Sequence, residues 1–450
     1  MANPDLRTFL EKARQAGEML EVKRSTHPRF AIPAVMARLE QVQRFPSVYF
    51  SHVEGSKIPV LSNVFASRRR IALALGCDEA SLNTVYRERE DRPIKPVMVP
   101  SGPVQETVLK GKDINLYDLP IVTHNEKDAG PYITAGAMVI RDPNTGIRNV
   151  GIYRHMLHEK NKVGIHMAET SHVSYVFEQY VQRKEPMPVA ITIGHHPSFY
   201  LGTLSFVPLG IDEYDVVGGL FGEPLELVKC KTVDLEIPAS AEIVLEGTVS
   251  LDETRLEAPF GEYTTLYGMQ RVNPVVTITA ITHRRDPIYF DCLSGHLDQQ
   301  LLGGTPRLSV IYKNVRATCP TVKDVYMPPS GCCRLTCYVS IKKRHEGEAK
   351  NAVGAVIASD PFIKYVVVVD EDVNIFDDGA VLQAVATRLR PDEDAFMIRG
   401  AKGHPLDPTS RKGYLVTKIG IDATKPLSGY PETVRVPGVD KVNLEELGIK

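Results

Sequence analysis

Hydrophobic positions along the chain fall into three regimes. In the first, Leu6, Phe9, Leu10 and Ala13 recur at helical spacing and Gly17 follows, which predicts a short amphipathic opening helix. Val60-Leu61 and the run from Ile71 to Leu75 continue as apolar pieces of an α/β region. Pro93, Pro96, Pro100 and Pro103 then crowd into the stretch from Asp91 to Pro103. Proline has a fixed φ and no amide hydrogen, so this stretch suits an extended connection and places a boundary near residue 105.

In the second regime the runs from Ile133 to Ile140, Val150 to Leu157, Val189 to Ile193, Glu242 to Val249 and Val275 to Thr282 are short and β-branched, and Gly, Pro, Asn and Asp separate them. That pattern predicts a mostly antiparallel sheet or barrel. After about residue 305 an α/β pattern returns. Tyr365-Val-Val-Val-Val369 reads as a buried strand, and Asp377 or Asp378 as an N-cap. Val381, Leu382, Val385, Ala386 and Leu389 mark the helix that follows. The expected architecture is an α+β multidomain chain: an N-terminal α/β domain (1–105), a central antiparallel domain (106–305) and a C-terminal α/β domain (306–425). A polar, Pro/Gly-punctuated tail (426–450) is placed to dock on a neighbouring subunit.

A chain of 450 residues exceeds a single small core. Its 43% hydrophobic and 24% charged fractions are those of an ordinary globular protein. With 53 basic and 55 acidic residues the net charge is -2, so nothing pulls the chain toward nucleic acid or an anionic membrane, and a small-molecule partner is expected. Met1 to Leu6 lacks a basic segment followed by an apolar run, and no apolar stretch is long enough to span a bilayer, so the expected location is the cytoplasm. The seven cysteines are odd in number and scattered from Cys77 to Cys337, which argues against a disulfide framework. Cys332, Cys333 and Cys337 form no C-x2-C pair and have no suitably spaced histidine, so reduced buried thiols are expected in place of zinc. Adjacent side chains diverge, so Gly194-His195-His196-Pro197 reads as a turn and not as a metal pair. Gly218-Gly219 and Gly303-Gly304 stand in no phosphate-loop frame, which leaves nucleotide triphosphatases and nicotinamide dehydrogenases without support.

Candidate chemistry begins at Glu257-Ala-Pro-Phe-Gly-Glu262, where two carboxylates flank an apolar bend. Pro259 fixes one backbone dihedral and Gly261 frees another, an arrangement able to aim both acids at one point. Further polar groups precede it: Asn149-Val-Gly-Ile-Tyr-Arg154, Glu169-Thr-Ser-His172 and Gly210-Ile-Asp-Glu213. Singly, each has an ordinary explanation: Asn149 as a turn residue, His172 as a helix-start histidine, Glu213 as a surface acid, Arg154 as a solvated strand charge. In combination and order they resemble the UbiD family of decarboxylases, which use prenylated FMN. The resemblance includes Gly130 to Pro143, Leu225 to Cys230 and Pro238 to Gly247, and it extends over most of the chain.

The resemblance implies that the central domain is a split β-barrel-like flavin-binding domain. It implies Asn149, His172 and Glu213 as ligands of a divalent metal, Mn2+ or Mg2+, that bridges to the cofactor phosphate. An amide oxygen, an imidazole and a carboxylate without thiolate suit such an ion. Ile152 and Tyr153 join them as cofactor-contacting residues. A monovalent cation, K+ or Na+, is expected on backbone carbonyls near Thr203 and Ser205. Arg154, Glu257 and Glu262 become the catalytic set, with Glu262 the proton donor and the other two its positioning partners. Loss of CO2 from an sp² carbon leaves electrons that no side chain delocalises, so the family's cofactor accepts them through a covalent adduct. A protein acid then returns a proton, and two carboxyls sharing one arginine can hold a proton between them. A flavin prenyltransferase is the implied cofactor supplier, and the family suggests a homodimer or homohexamer assembled through the C-terminal domain.

Tyr289 to Gly304 lies where the family lines its substrate pocket, and His296 follows Gly295 there. Arg307 or Arg334 nearby is suited to a polar ring substituent or a second carboxylate. A histidine here resembles the furan-dicarboxylate branch, so the expected reaction is reversible, non-oxidative decarboxylation of a furan- or pyrrole-type acid such as 2,5-furandicarboxylate. The alternatives are a hydroxybenzoate, a polyprenyl hydroxybenzoate or an aryl-CoA carboxylate, and, from another class, a flavin-dependent oxidoreductase or a cofactor-storing protein.

Overall fold

The structure is a computed structural model that describes residues 4–168 and 171–448. Glu169 and Thr170, which precede His172, lie outside the described residues. The opening helix is Leu6–Gln15. Asp5 caps it by accepting the Thr8 amide, and its stripe of Leu6, Phe9, Leu10 and Ala13 is buried. Behind it Met19–Val22, Ser47–Phe50 and Val60–Ser62 form a small sheet. The fourth strand of that sheet comes from far along the chain: Tyr289–Phe290 lies parallel to Val60-Leu61. Phe290 stacks on Tyr200 with ring centroids 4.8 Å apart and meets Phe65 edge-on, so the segment leading to His296 is anchored in the N-terminal core.

The central region is a closed barrel. Its ring of six antiparallel strands runs Ile243–Glu257, Met187–Ile193, Tyr132–Arg141, Arg148–Glu159, Lys162–Gly164 and Arg271–His283, and the pairing of the last with the first closes it. Thr107–Lys110 adds to the free side of Arg271–His283. All five runs read from the sequence are strands here. The two short strands, three and four residues long, carry too little alternation to be recognised. Beyond Val249 the strand ending at Glu257 projects past the ring. There the usual polarity reverses, with Leu256 exposed and Glu257 fully buried. An apolar residue facing out and a carboxylate facing in is a local conflict that a site explains better than a core does.

The C-terminal region is a five-stranded sheet in the order Val322–Tyr326, Thr336–Ile341, Tyr365–Asp370, Leu415–Ala423, Ala395–Lys402. Its central pairs are parallel and its edge pairs antiparallel. Helices Arg307–Thr318 and Glu348–Ser359 cover one core, and Asp378–Arg388, capped by Asp377, covers the other. Residues 426–448 join no sheet, and Val434 and Val436 are exposed there. The seven cysteines are all free. His196 caps helix Pro197–Thr203 by accepting the Ser198 amide, while His195 accepts the His196 amide and meets Ser240, so the pair is a structural turn. Among the described residues no helix is long and apolar enough to cross a membrane.

Candidate active site

Glu257 is the last residue of its barrel strand, and the chain turns immediately after it. Ala258 makes the turn in a left-handed conformation, φ +80°, costly for a residue with a Cβ. Tyr132 Oη receives the Ala258 amide at 3.2 Å, and Phe260 packs against the Tyr132 ring. Gly261 has a different role from the dihedral freedom expected of it, because it lies outside the left-handed region. A Cβ on Gly261 would sit 2.2 Å from Asn125 Nδ2. Glycine is needed there for close approach, and Asp128 Oδ1 fixes that approach by accepting the Gly261 amide at 2.8 Å.

This turn brings Glu257 and Glu262 to one arginine. Arg154 Nε donates to Glu257 Oε1 at 2.7 Å, and Arg154 Nη1 donates to Glu262 Oε1. The second Glu257 oxygen accepts from Asn273 Nδ2. The guanidinium lies 4.8 Å over the Phe260 ring, which limits its side-chain freedom. Burial, the largest influence on Arg154, is outweighed by Glu262 and Glu257, so the guanidinium stays charged. Burial is also the largest influence on Glu262, and it holds that carboxyl above the usual range despite Arg154. His166, within reach of Asn273, is pushed down to about 3 by burial and then by Arg154 and Arg271, so its imidazole is neutral. The trio is thus a permanent cation with two carboxyls, one of which is poised to carry a proton.

A second cluster forms at the start of the same strand. Asn149 Nδ2 lies 2.8 Å from Glu213 Oε1 and 3.4 Å from His172 Nδ1. Glu213 opens helix Glu213–Phe221, where Asp212 is the N-cap, and its other oxygen accepts the Val150 amide at 2.7 Å. His172 opens helix His172–Arg183. Arg148 holds this corner by pairing with Asp212 and Glu236. Two features fit a hard divalent cation. Asn149 Oδ1 is buried without a partner among the described residues. Burial pushes the Glu213 carboxyl up to about 8, the state of an acid that lacks a counter-charge. Ligands about 2.1 Å from an octahedral ion are about 3 Å apart, which is the spacing seen here, and a flip of the Asn149 amide would turn its oxygen toward the shared point. Among the described residues no set of three His, Cys, Asp or Glu forms a metal cluster, so an ion held here would need the Asn149 amide as a ligand.

Ile152 and Tyr153 lie on the strand between the clusters. Ile152 is half-buried against the core. The Tyr153 ring packs on Gly151, and its hydroxyl is raised by burial and by Glu213. Thr203 Oγ1 bonds its own helix at Tyr200 O, and Ser205 Oγ meets Tyr86 Oη at 2.6 Å.

Beside the Glu262 turn a cleft of about 470 Å³ is lined by Glu40, Asn125, Gly261, Tyr267, His296 and Gln300, among others. His296 stands at the N-cap position of helix Leu297–Gly304 without a capping side-chain bond, and its Nδ1 is 2.8 Å from Glu40 Oε2. An Nδ1–H given to Glu40 leaves Nε2 for a ligand. Arg307 is not in this lining. It pairs with Asp360 and lies between the rings of Phe206 and Phe362. Arg334 reaches Gln300 from behind the cleft wall, donating to its carbonyl at 3.2 Å.

Glu40, Asn125, Asp128, His166 and Asn273 were not singled out from the sequence. Each is a lone polar residue in an unremarkable context, and only tertiary contacts with Glu257, Gly261 or His296 mark it. For Asn273 one local signal existed: an amide side chain inside a β-branched run, followed by Pro274.

The chain matches known proteins over most of its length. The 3-octaprenyl-4-hydroxybenzoate carboxy-lyase N-terminal domain matches residues 10–89, the Rift-related domain of that family residues 95–297, and its C-terminal domain residues 300–423. Anhydromevalonate phosphate decarboxylase of Methanothermobacter thermautotrophicus is 34% identical over 96% of this chain and 99% of its own length. The enzyme of that name from Methanosarcina mazei is 37% identical over 94% and 96%. Among solved structures, the UbiD-class enzyme HmfF from Pelotomaculum thermopropionicum, in complex with FMN, superposes with a TM-score of 0.94 at 38% identity, covering 98% of this chain and 99% of that one. Vanillic acid decarboxylase of Sedimentibacter hydroxybenzoicus, in open form, superposes with a TM-score of 0.87 at 32% identity, covering 98% and 97%.

Proposed function

The chain belongs to the UbiD family of carboxy-lyases, and from that membership we propose that it catalyses reversible, non-oxidative decarboxylation of an aromatic or heteroaromatic acid, with prenylated FMN as cofactor. The observation that carries this reading is the buried Glu257–Arg154–Glu262 set, in which one carboxyl is biased toward its protonated form beside a fixed cation. An evolved form of HmfF is known in complex with prenylated FMN. When bound, that cofactor supplies the electron sink that decarboxylation at an unsaturated carbon requires.

The chain's own residues do the rest. Asn149, His172 and Glu213 would hold a divalent cation, Mn2+ or Mg2+, at the phosphate end of the flavin. Arg154 lies five residues further along that strand, roughly 17 Å at about 3.4 Å per residue. An elongated ligand with an anionic end and a reactive ring would meet both clusters. Arg154 orients the departing carboxylate, Glu257 with Asn273 holds Arg154 in place, and Glu262 delivers the proton to the carbon the carboxylate leaves. The lining of the cleft by His296 supports a small heteroaromatic acid as substrate. A second reading, an acid that also bears a phosphate, is favoured by the two relatives named for anhydromevalonate phosphate.

Co-production with a flavin prenyltransferase tests the proposal. The purified protein is expected to show flavin absorbance and a released mass matching prenylated FMN, and to liberate CO2 from one class of acid in a panel of furan, pyrrole, hydroxybenzoate and phosphate-bearing acids. Bound flavin that turns over nicotinamide without CO2 release would place the chain among flavin oxidoreductases instead.

A further inference from the structure

Behind the Glu262 turn the structure collects positive charge that it does not neutralise. Arg334 is 8% exposed, yet no carboxylate lies within 4 Å of it among the described residues. Its hydrogen-bond partners are two carbonyls, of Gln300 and Cys333. Burial and Arg307 together push its guanidinium down to about 10. Arg307 pairs with Asp360, and its own Nε is buried without a partner among the described residues. Lys418, 2% exposed, reaches the carbonyls of Asp360 and Pro361 at 3.4 and 3.3 Å. Arg334, Lys418 and the partly buried Arg307 therefore gather near one carboxylate, that of Asp360, which among them only Arg307 contacts.

The C-terminus of helix Leu297–Gly304 offers Arg334 a partial negative charge of about one half, which leaves part of its charge unmet. That helix end also leaves a second feature unexplained. Among the described residues the Tyr263 hydroxyl is buried without a partner, 6% of the residue is exposed, and the Arg334 guanidinium lies 5.5 Å from its ring centroid. A buried hydroxyl left unpaired is destabilising, and a ligand oxygen would satisfy it. Gly303 is needed to admit the guanidinium, because a Cβ there would lie 1.7 Å from Arg334 Nη2. Tyr263 follows Glu262 directly, and Gln300, which lines the cleft, donates to the Tyr263 carbonyl at 2.9 Å.

We propose that Arg334 and the Tyr263 hydroxyl form a subsite for a second oxyanion of the substrate, distal to the carboxylate that is lost, with Arg307 and Lys418 supplying the surrounding positive field. The inference rests on the decarboxylase reading for its use in turnover, and it narrows the substrate to a dianionic acid whose distal group is a carboxylate or a phosphate.

The test uses the prenylated-FMN holoenzyme with 2,5-furandicarboxylate against furan-2-carboxylate in one arm, and a phosphate-bearing unsaturated acid against its unphosphorylated alcohol in the other. Binding of each is measured by calorimetry alongside CO2 release. Arg334→Gln is expected to lower the preference for the dianion over its partner by about 30-fold or more in at least one arm, and Tyr263→Phe by about 5-fold. The arm that responds identifies the distal group. CO2 release with the same preference in wild type and both variants would overturn the subsite. Dianion binding that depends on Arg334, with no CO2 from any acid, would uphold the subsite and overturn the decarboxylase reading. Should Arg334→Gln not fold, Tyr263→Phe decides, since it removes one oxygen and leaves the ring packing intact.

Discussion

Asn273 donates its side-chain amide to the Glu257 oxygen that Arg154 leaves free. The two residues lie on paired strands, Ile243–Glu257 and Arg271–His283, so the clamp is part of the barrel closure itself. Glu257 is therefore held from both sides, and Arg154 inherits its position from it. Asn273→Ala is expected to strip a donor from a fully buried carboxylate and to cost about 1–3 kcal/mol of stability, read from urea denaturation. It should also lower kcat through a looser Arg154. The same kcat with the same stability would show that Asn273 is idle.

Glu262→Gln keeps the shape and removes the proton. With the flavin still bound, by absorbance, turnover is expected to fall by about 10²–10⁴-fold, the usual contribution of a positioned general acid. Near-full activity in this variant would remove Glu262 from the role of donor.

The raised Glu262 carboxyl also sets a pH dependence. Its folded value lies above its unfolded one, so the folded state binds more protons in between. The associated stability is present below the unfolded value and is lost as pH rises through the folded value. The protonated donor is lost in the same window, so kcat is expected to decline on the alkaline side of that carboxyl. Denaturation across pH should show stability falling with rising pH in this window, and Glu262→Gln should flatten that slope.

Glu213→Ala removes the one carboxyl from the proposed metal site. Metal analysis after purification with Mn2+ is expected to show near-stoichiometric metal in the wild type and little in the variant. Added Mn2+ should raise the melting temperature of the wild type alone, because only a site present in the folded state couples binding to stability. Equal metal content would move the ion elsewhere.

Gly261→Ala places a methyl group 2.2 Å from Asn125 Nδ2. Either Asn125 or the Glu262 turn must give way. The expected cost is about 1–3 kcal/mol, together with a drop in turnover larger than the stability loss explains. An active, fully stable variant would show that the close approach is dispensable.

Local pattern in the sequence determined the five longer barrel strands, the strand at Tyr365–Asp370, the opening helix, the reduced cysteines and the regions of α/β and antiparallel character. Each depends on periodicity or backbone chemistry within about ten residues, where burial of one face dictates spacing. The motif order also sufficed to nominate Arg154, Glu257, Glu262, Asn149, His172 and Glu213. What it could not supply was company. Asn273 beside Glu257, Glu40 beside His296 and Arg334 beneath Gly303 are separated from their partners by 16, 256 and 31 positions. Hydrogen bonds and charge pairing act through space over a few ångströms, so only barrel closure and the docking of Tyr289–Phe290 on the N-terminal sheet decided those neighbours. For the same reason Gly261 proved to be a matter of clearance and not of dihedral freedom: a collision with Asn125 does not exist until the chain has folded.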